Sequence, residues 1–334
     1  MIGRAALSQT FLNQAGWGDA ERRPLAGDAS FRRYERLHHN GITAVLMDAP
    51  PPQEDVRPFI RMTRWLVAQG LSAPRILAED ASHGFLLLED LGDDLYSRLL
   101  RANGDETTLY EAAIDLLLQL HTHKAPVELA PYDAPRLIEE AGLFPDWYLP
   151  ALTGRPTAPA LRAEFDALLG ALAPAAIAAR PIAVLRDFHA DNLLWLPDRR
   201  GAARVGLLDF QDAVAGHPAY DLVSLLEDAR RDVSPSLADA MLARYIAGSN
   251  IAAGAFRRAY AILGAQRNIR IIGIFTRLWQ RDGKPGYQAF MPRMWGLLER
   301  DLAHPELADL RAWIDRAAPQ ALRCKPLPGL EQPA

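Results

Sequence analysis

The sequence predicts an α+β protein in two lobes, a small N-terminal lobe built on an antiparallel sheet and a larger, mostly helical C-terminal lobe. Three observations carry that expectation. Apolar, β-branched or aromatic runs at residues 31–37, 42–47 and 85–88 read as neighbouring buried strands. Between them, residues 55–69 place Val56, Phe59, Ile60, Trp65, Leu66 and Val67 at near-helical spacing after the PPP run of residues 50–52, so one amphipathic helix is expected against the sheet. Beyond the turn signal Asp90-Leu91-Gly92, the pattern is helical at 94–101, 106–121, 134–147 and 158–179, with Pro and Gly between. The helical run is broken once, at 182–209, where apolar stretches 193–196 and 205–208 flank PDRRGAAR and predict a β-hairpin. Helices resume at 220–230, 236–247, 251–279 and 288–303, and the proline-rich tail 325–334 is expected to be loose. The lobes divide at residues 89/90: 1–89 and 90–334.

A chain of 334 residues with 49% hydrophobic and 23% charged residues is long enough for about two domains and can bury a substantial core. The single cysteine, Cys324, cannot form an internal disulfide, and the N-terminal residues lack the apolar run of a signal peptide. No stretch approaches the ~18 consecutive apolar residues of a membrane span. A cytoplasmic protein acting in solution is expected. The net charge of −4 provides no basic field for nucleic-acid phosphates, so neither nucleic acid nor membrane is an expected partner. Of 37 basic residues only Lys124, Lys284 and Lys325 are lysine, and residues 1–123 contain none.

The chemistry-bearing signal is a pair of segments, LRDFHADN at 185–192 and LLDFQD at 207–212. They supply a carboxylate, Asp187, an amide five residues on, Asn192, and a second carboxylate, Asp209, at the end of the next apolar strand. Metal-assisted phosphoryl transfer needs such a set: a base for the incoming hydroxyl and oxygen ligands for Mg²⁺ on the phosphates. If Leu194 pairs with Leu207 and Leu196 with Val205, Asn192 lies across from Asp209 at the open end of the hairpin. Taken singly, each residue also suits a turn cap or a strand terminus; the joint spacing is what points to chemistry. His189 and Asp191 form an HxD, but no further His or Cys lies at zinc-ligand spacing.

On these segments the sequence resembles the aminoglycoside phosphotransferase and protein-kinase-like superfamily, whose catalytic loop reads DxxxxN and whose metal aspartate follows on a short hairpin. The resemblance covers most of the chain and implies a two-lobe kinase-like fold with ATP and Mg²⁺ in the cleft. LLLEDLGDDL at 86–95 matches the inter-lobe hinge, where the backbone around Glu89 and Leu91 would read adenine. In GHPAYDLVSLL, Asp221 occupies the position that steadies the catalytic loop, although a helix N-cap explains it equally well. More narrowly, GDASFRRY at 27–34, AVLMDAPP at 44–51 and GIFTRLWQRDGKPGY at 273–287 resemble the bacterial N-acetylmuramate/N-acetylglucosamine kinases, which phosphorylate the anomeric hydroxyl of amino sugars in cell-wall recycling.

Two departures bear on mechanism. Where a protein kinase has VAIK, the matching strand reads Ala44-Val45-Leu46-Met47, so the phosphate-binding lysine is absent. The nucleotide loop, with Gly27 and Ser30, then offers Arg32 and Arg33 as the cations for phosphate, unless these are simply a solvated strand edge. The loop also holds one glycine in GDASF where kinase loops have two or three. For the sugar, Arg267, Arg281, Asp282 and Lys284 are the expected polar contacts, with Arg270 one helical turn from Arg267. A solvated inter-helix loop accounts for 281–284 equally, and Tyr132, Trp147 and Trp279 are candidates to stack on a pyranose. Alternative readings are a kinase for another small hydroxyl substrate, such as an aminoglycoside, choline or homoserine, and a nucleotide-binding pseudokinase with a regulatory role.

Overall fold

The computed structural model describes residues 3–25, 31–177, 180–323 and 327; Gly27, Ser30 and the tail apart from Leu327 lie outside the described residues. The first part of the chain runs α1 (Arg4–Gln14), β1 (Glu21–Pro24), β2 (Arg33–His39), β3 (Ile42–Asp48), α2 (Arg57–Ala68), β4 (Ile76–Asp80), β5 (Phe85–Glu89), α3 (Tyr96–Arg101) and α4 (Glu106–Leu120). There follow α5 (Ala134–Ala141), α6 (Leu149–Thr153), α7 (Pro159–Ala176), β6 (Ile182–Val184), β7 (Leu193–Trp195), β8 (Val205–Leu207) and β9 (Val214–Gly216). The last elements are α8 (Ala219–Leu226), α9 (Pro235–Gly248), α10 (Ala253–Gln280), α11 (Met291–Asp301), α12 (Ala308–Ala317) and α13 (Gln320–Arg323). The expected class is the observed one, an antiparallel sheet followed by a mostly helical remainder. None of the helices among the described residues is long and apolar enough to cross a membrane.

The chain forms two compact units, residues 1–120 with 190–213, and residues 121–189 with 214–334. In the first, five antiparallel strands are ordered β1-β2-β3-β5-β4. The inner strands are β2, β3 and β5, which are the three the sequence pattern identifies. Leu37, Ala44, Leu46, Phe85 and Leu87 form one apolar face, and α1 covers it through Phe11 and Leu12. Phe11 stacks on Phe85 at 5.7 Å between ring centroids. Helix α1 and the edge strands β1 and β4 are absent from the sequence expectation for a physical reason. Only Ser8, Phe11 and Leu12 of α1 are buried, β1 reads ERRP, and β4 exposes Leu77, so none shows a clean apolar period.

Residues 190–213 join this unit through the hairpin β7–β8. Leu207 donates its N–H to the Ser72 carbonyl at 2.8 Å, Ser72 Oγ donates to the Ala203 carbonyl at 2.6 Å, and the Arg199 guanidinium bonds Glu89 at 2.6 Å. The hairpin exists as expected, but its register is shifted by one residue. Leu193 pairs with Leu207 and Trp195 with Val205, not Leu194 with Leu207 and Leu196 with Val205. The cause lies in Gly206, which pairs with Leu194. A Cβ at 206 would stand 3.0 Å from Leu194 Cβ and 3.3 Å from Leu91 Cδ1, so the glycine occupies the crowded position.

In the second unit the 28-residue helix α10 is the axis against which α5, α7, α8 and α11 pack. Gly273 lets it approach the backbone of Leu143, where an added Cβ would be 2.4 Å from the carbonyl carbon. The helix expected over 134–147 is broken into α5 and a π turn at Phe144–Tyr148, after which α6 follows. The helix expected to reach residue 230 stops at Leu226, and 288–303 divides into a 3₁₀ turn, Pro285–Phe290, and α11. Strands β6 and β9 pair antiparallel, Ile182 with Gly216 and Val184 with Val214, and so hold the two ends of the chain that flank residues 190–213.

Candidate active site

The loop after β6 carries Asp187, and its backbone is fixed by a buried carboxylate. Asp221, fully buried in the first turn of α8, accepts the Leu185 N–H at 2.8 Å on one oxygen and the Arg186 N–H at 2.9 Å on the other. Ser224, one turn on, donates its hydroxyl to the Arg186 carbonyl at 2.8 Å. Arg186 is thereby held at φ +71°, a left-handed conformation that disfavours most side chains. Asp221 is thus a clamp on the loop and not the helix N-cap, which is Pro218. Burial pushes its carboxyl up to about 7. Asp187 itself is half-exposed, with its N–H on the Leu185 carbonyl at 2.9 Å and its carbonyl taking the His189 N–H at 3.1 Å. His189 is buried with Arg230 Nη1 at 3.4 Å from its Nε2, and burial lowers its pKa.

The same loop places a denser charge cluster beside Asp187. Glu140 on α5 is approached by the guanidinium of Arg186 at 2.6 Å, those of Arg136 and Arg270 at 3.2 Å, and the Tyr132 hydroxyl at 3.0 Å. Tyr132 is buried edge-to-face against Tyr220, with ring centroids 5.1 Å apart, so its ring serves the core and not a sugar face. Glu140 and Arg186 are functional candidates that sequence reasoning passes over. The i,i+4 spacing of Arg136 and Glu140 was visible, but the arrival of Arg186 and Arg270 from other elements was not.

The expected sugar contacts are dispersed within this unit. Arg267 is buried, its guanidinium donating to the Glu227 carbonyl at 3.2 Å and to Ser224 Oγ at 3.1 Å, so it braces α10 against α8. Arg281 and Asp282 are exposed and pair with each other at 2.7 Å, and Lys284 follows them in the exposed turn after α10.

In the other unit, Asn192 and Asp209 come together despite the shifted register. Asn192 Nδ2 is 3.5 Å from Asp209 Oδ2, and the Leu208 N–H bonds the Asn192 carbonyl at 3.0 Å. Asp209 takes φ +54°, which turns its side chain back toward Asn192. The next residue, Phe210, is buried and stacks on Phe59 of α2 at 5.0 Å, anchoring that turn. Arg32 approaches the same carboxylate, with Nη2 3.6 Å from Asp209 Oδ1, while its Nε lies 3.7 Å from Glu54 just before α2. Its side chain is only 12% exposed, whereas Arg33 is exposed. Met47, in the strand position where the lysine is missing, is buried. Glu54 is a further residue that the sequence reading passes over.

At the hinge, Glu89 spends its side chain on Arg199 and on the Arg75 N–H, and its own N–H on the Arg75 carbonyl. Arg36 ties Asp90 at 2.8 Å and Asp93 at 2.7 Å, which fixes the segment on either side of Leu91.

The described residues thus form a loop clamped by a buried aspartate, a DxxxxN segment leading into a hairpin, and an aspartate in a left-handed turn. The model of the phosphotransferase enzyme family matches residues 21–260. The chain belongs to that family. It is 43% identical to the N-acetylmuramate/N-acetylglucosamine kinase of Caulobacter vibrioides, over 96% of this chain and 98% of the relative. It is 39% identical to the protein of the same name from Pseudomonas aeruginosa, over 92% of both chains. The crystal structure of a choline/ethanolamine kinase family protein from Mesorhizobium loti has the same fold, with a TM-score of 0.63 at 14% identity, covering 94% of this chain and all of that one. As a member of this kinase-like family the chain is a phosphotransferase that uses ATP, acting on an alcohol group of a sugar.

Proposed function

We propose that the protein transfers the γ-phosphoryl group of ATP to the anomeric hydroxyl of N-acetylmuramate and N-acetylglucosamine. Residues 1–89 serve the nucleotide, and residues 90–334 carry the catalytic and metal-holding groups and bind the acceptor. The observation that carries the reading is the clamped Asp187 loop in a chain whose relatives of that name match it almost end to end. Asp187 accepts the hydroxyl proton as the anomeric oxygen bonds to the γ-phosphorus and the bond to the β-phosphate oxygen breaks, releasing ADP. Asp221 acts through the backbone, holding Leu185 and Arg186 so that Asp187 keeps its aim.

Asn192 and Asp209 suit Mg²⁺, because one carboxylate and one amide within 3.5 Å of each other supply hard oxygen donors, and this ion characteristically takes few protein ligands. When bound, the ion neutralises charge on the ATP phosphates. Arg32, beside Asp209 and steadied by Glu54, takes the electrostatic place of the absent lysine. Leu91 presents the backbone edge for adenine, whereas the N–H of Glu89, also expected there, is taken by the Arg75 carbonyl. Gly27, Ser30 and Arg33 belong to the same nucleotide loop by sequence, and Arg281, Asp282 and Lys284 remain contacts of the acceptor side.

The anomeric position also follows from chemistry. The ring oxygen withdraws electron density and makes this hydroxyl more acidic than its neighbours, which suits a site whose N-terminal lobe contains no lysine. A sugar panel with Mg-ATP, scored by ADP release, tests the proposal. Both amino sugars should be turned over and their methyl glycosides should not. Turnover of choline, homoserine or an aminoglycoside with neither amino sugar accepted would replace this reading, and nucleotide binding without turnover of any acceptor would favour a pseudokinase.

A further inference from the structure

The cluster beside Asp187 has unbalanced charge. Three guanidinium groups, those of Arg136, Arg186 and Arg270, converge on the single carboxylate of Glu140. Arg186 and Arg270 lie near enough to oppose each other's charge, and the two carboxylates that face the cluster, Glu140 and Asp187, leave the three guanidinium groups one charge in excess. Placing like charges in a partly desolvated site is costly without counter-ions. The cluster is open at one edge. Side-chain exposure is 10% at Arg186 and 15% at Glu140, and rises to 22% at Arg270 and 31% at Arg136, of which Arg270 is the one that feels the charge of Asp187. Arg270 is also oriented in advance, with Nε toward Glu140 at 3.2 Å and Nη1 on the Tyr220 hydroxyl at 3.2 Å. A guanidinium fixed in this way loses little freedom on meeting a carboxylate.

The location says which reactant would bring the missing anion. Asp187 meets the acceptor hydroxyl in the function proposed above, on which this inference rests, and Arg270 is close enough to feel its charge. An anion at Arg270 therefore belongs to the acceptor. Of the two amino sugars, N-acetylmuramate alone carries one, the carboxylate of its lactyl ether. We propose that Arg270, oriented by Glu140 and Tyr220, is the residue that binds the lactyl carboxylate and gives the site its affinity for the anionic sugar. Glu140 is then a positioning residue with two tasks. It holds Arg186 beside the catalytic loop, and it keeps two arginines together without filling the place of the ligand.

The test compares kcat/KM for N-acetylmuramate and N-acetylglucosamine in the wild type and in Arg270→Gln, together with the carboxamide of N-acetylmuramate, which keeps the lactyl group and removes its charge. The ratio of muramate to glucosamine kcat/KM should fall roughly ten- to hundredfold in the variant, mainly through KM. The carboxamide should lose a similar factor with the wild type and little more with the variant. Equal losses on both sugars would overturn the proposal, as would a wild-type enzyme that uses the carboxamide as well as the acid. The carboxamide arm needs no variant, so it decides even if Arg270→Gln fails to fold. A wild type that phosphorylates neither sugar would defeat the sugar-kinase reading itself, a result distinct from turnover of both without discrimination at Arg270.

Discussion

Asp187 and Asp209 are both aspartates in short loops, and their surroundings assign them different tasks. Asp187 is partly exposed on a loop whose backbone is pinned by Asp221, which suits a group that must meet an incoming hydroxyl. Asp187→Asn should therefore lower turnover by roughly 10²- to 10⁴-fold, the usual worth of a positioned base, with nucleotide affinity nearly intact. Asp209 faces Asn192 and Arg32, so Asp209→Asn should weaken Mg-ATP binding and turnover together. Nucleotide titration beside steady-state rates checks both, and equal losses of nucleotide affinity would contradict the division. The two arginines of the nucleotide loop differ in the same manner. Arg32 lies between Glu54 and Asp209 whereas Arg33 is exposed, so Arg32→Ala should impair ATP use by about tenfold or more and Arg33→Ala much less. The sequence offered both as candidates; Arg32 precedes β2 and Arg33 opens it, and which of them stands beside Asp209 depends on how residues 190–213 pack on this part of the chain.

At the scale of elements, the hairpin β7–β8 shows what pattern reading resolves. Two apolar runs around PDRRGAAR were enough to predict it, yet the alternation of only three residues per strand did not specify register. Packing did, through Gly206 against Leu194 and Leu91. Gly206→Val should accordingly destabilise the protein by about 1–3 kcal/mol, since Leu194 Cβ is backbone-anchored and cannot swing away. Denaturant midpoints measure this, and a wild-type midpoint would show that the hairpin has room. The long helix α10 illustrates the converse. Its span was plain in the sequence, but the depth at which it lies was not: Arg267, charged and on a surface-like segment, proved to be buried and bonded to α8.

For the whole molecule, buried titratable groups set opposing dependences of stability on pH. His121 and His217, pushed down by burial to about 3 and about 4, stay neutral in the native state, so the unfolded chain binds more protons below about 6.5 and stability rises with pH there. Asp221, raised to about 7 by burial, together with the raised carboxyls of Glu227 and Asp301, works in the other direction. These acids keep protons in the native state that the unfolded state has released, so their contribution falls as pH rises above about 4, for Asp221 until about 7. The two trends therefore oppose each other. Asp221→Asn removes one member of the second group, and its stability should rise with pH more steeply than that of the wild type, by up to about 1.4 kcal/mol per pH unit. Urea unfolding at pH 5, 6 and 7 gives both slopes. Identical slopes would mean that the Leu185 and Arg186 amides keep Asp221 ionised.

The sequence by itself determined the α+β class, an antiparallel sheet followed by a mostly helical remainder, with the inner strands of the sheet, most of the long helices and the DxxxxN-to-aspartate signal. All of these are written in short-range order: apolar period, turn residues and fixed spacing along one segment. It also showed that the N-terminal lobe has no lysine, a fact of composition that no fold can change. Only the tertiary structure decided which arginine stands beside Asp209, that Asp221 clamps a loop more than thirty residues away, and that Arg186 and Arg270 converge on Glu140. Those relations join residues from separate elements, and the positions of such residues depend on how helices and strands pack and not on the local pattern of either.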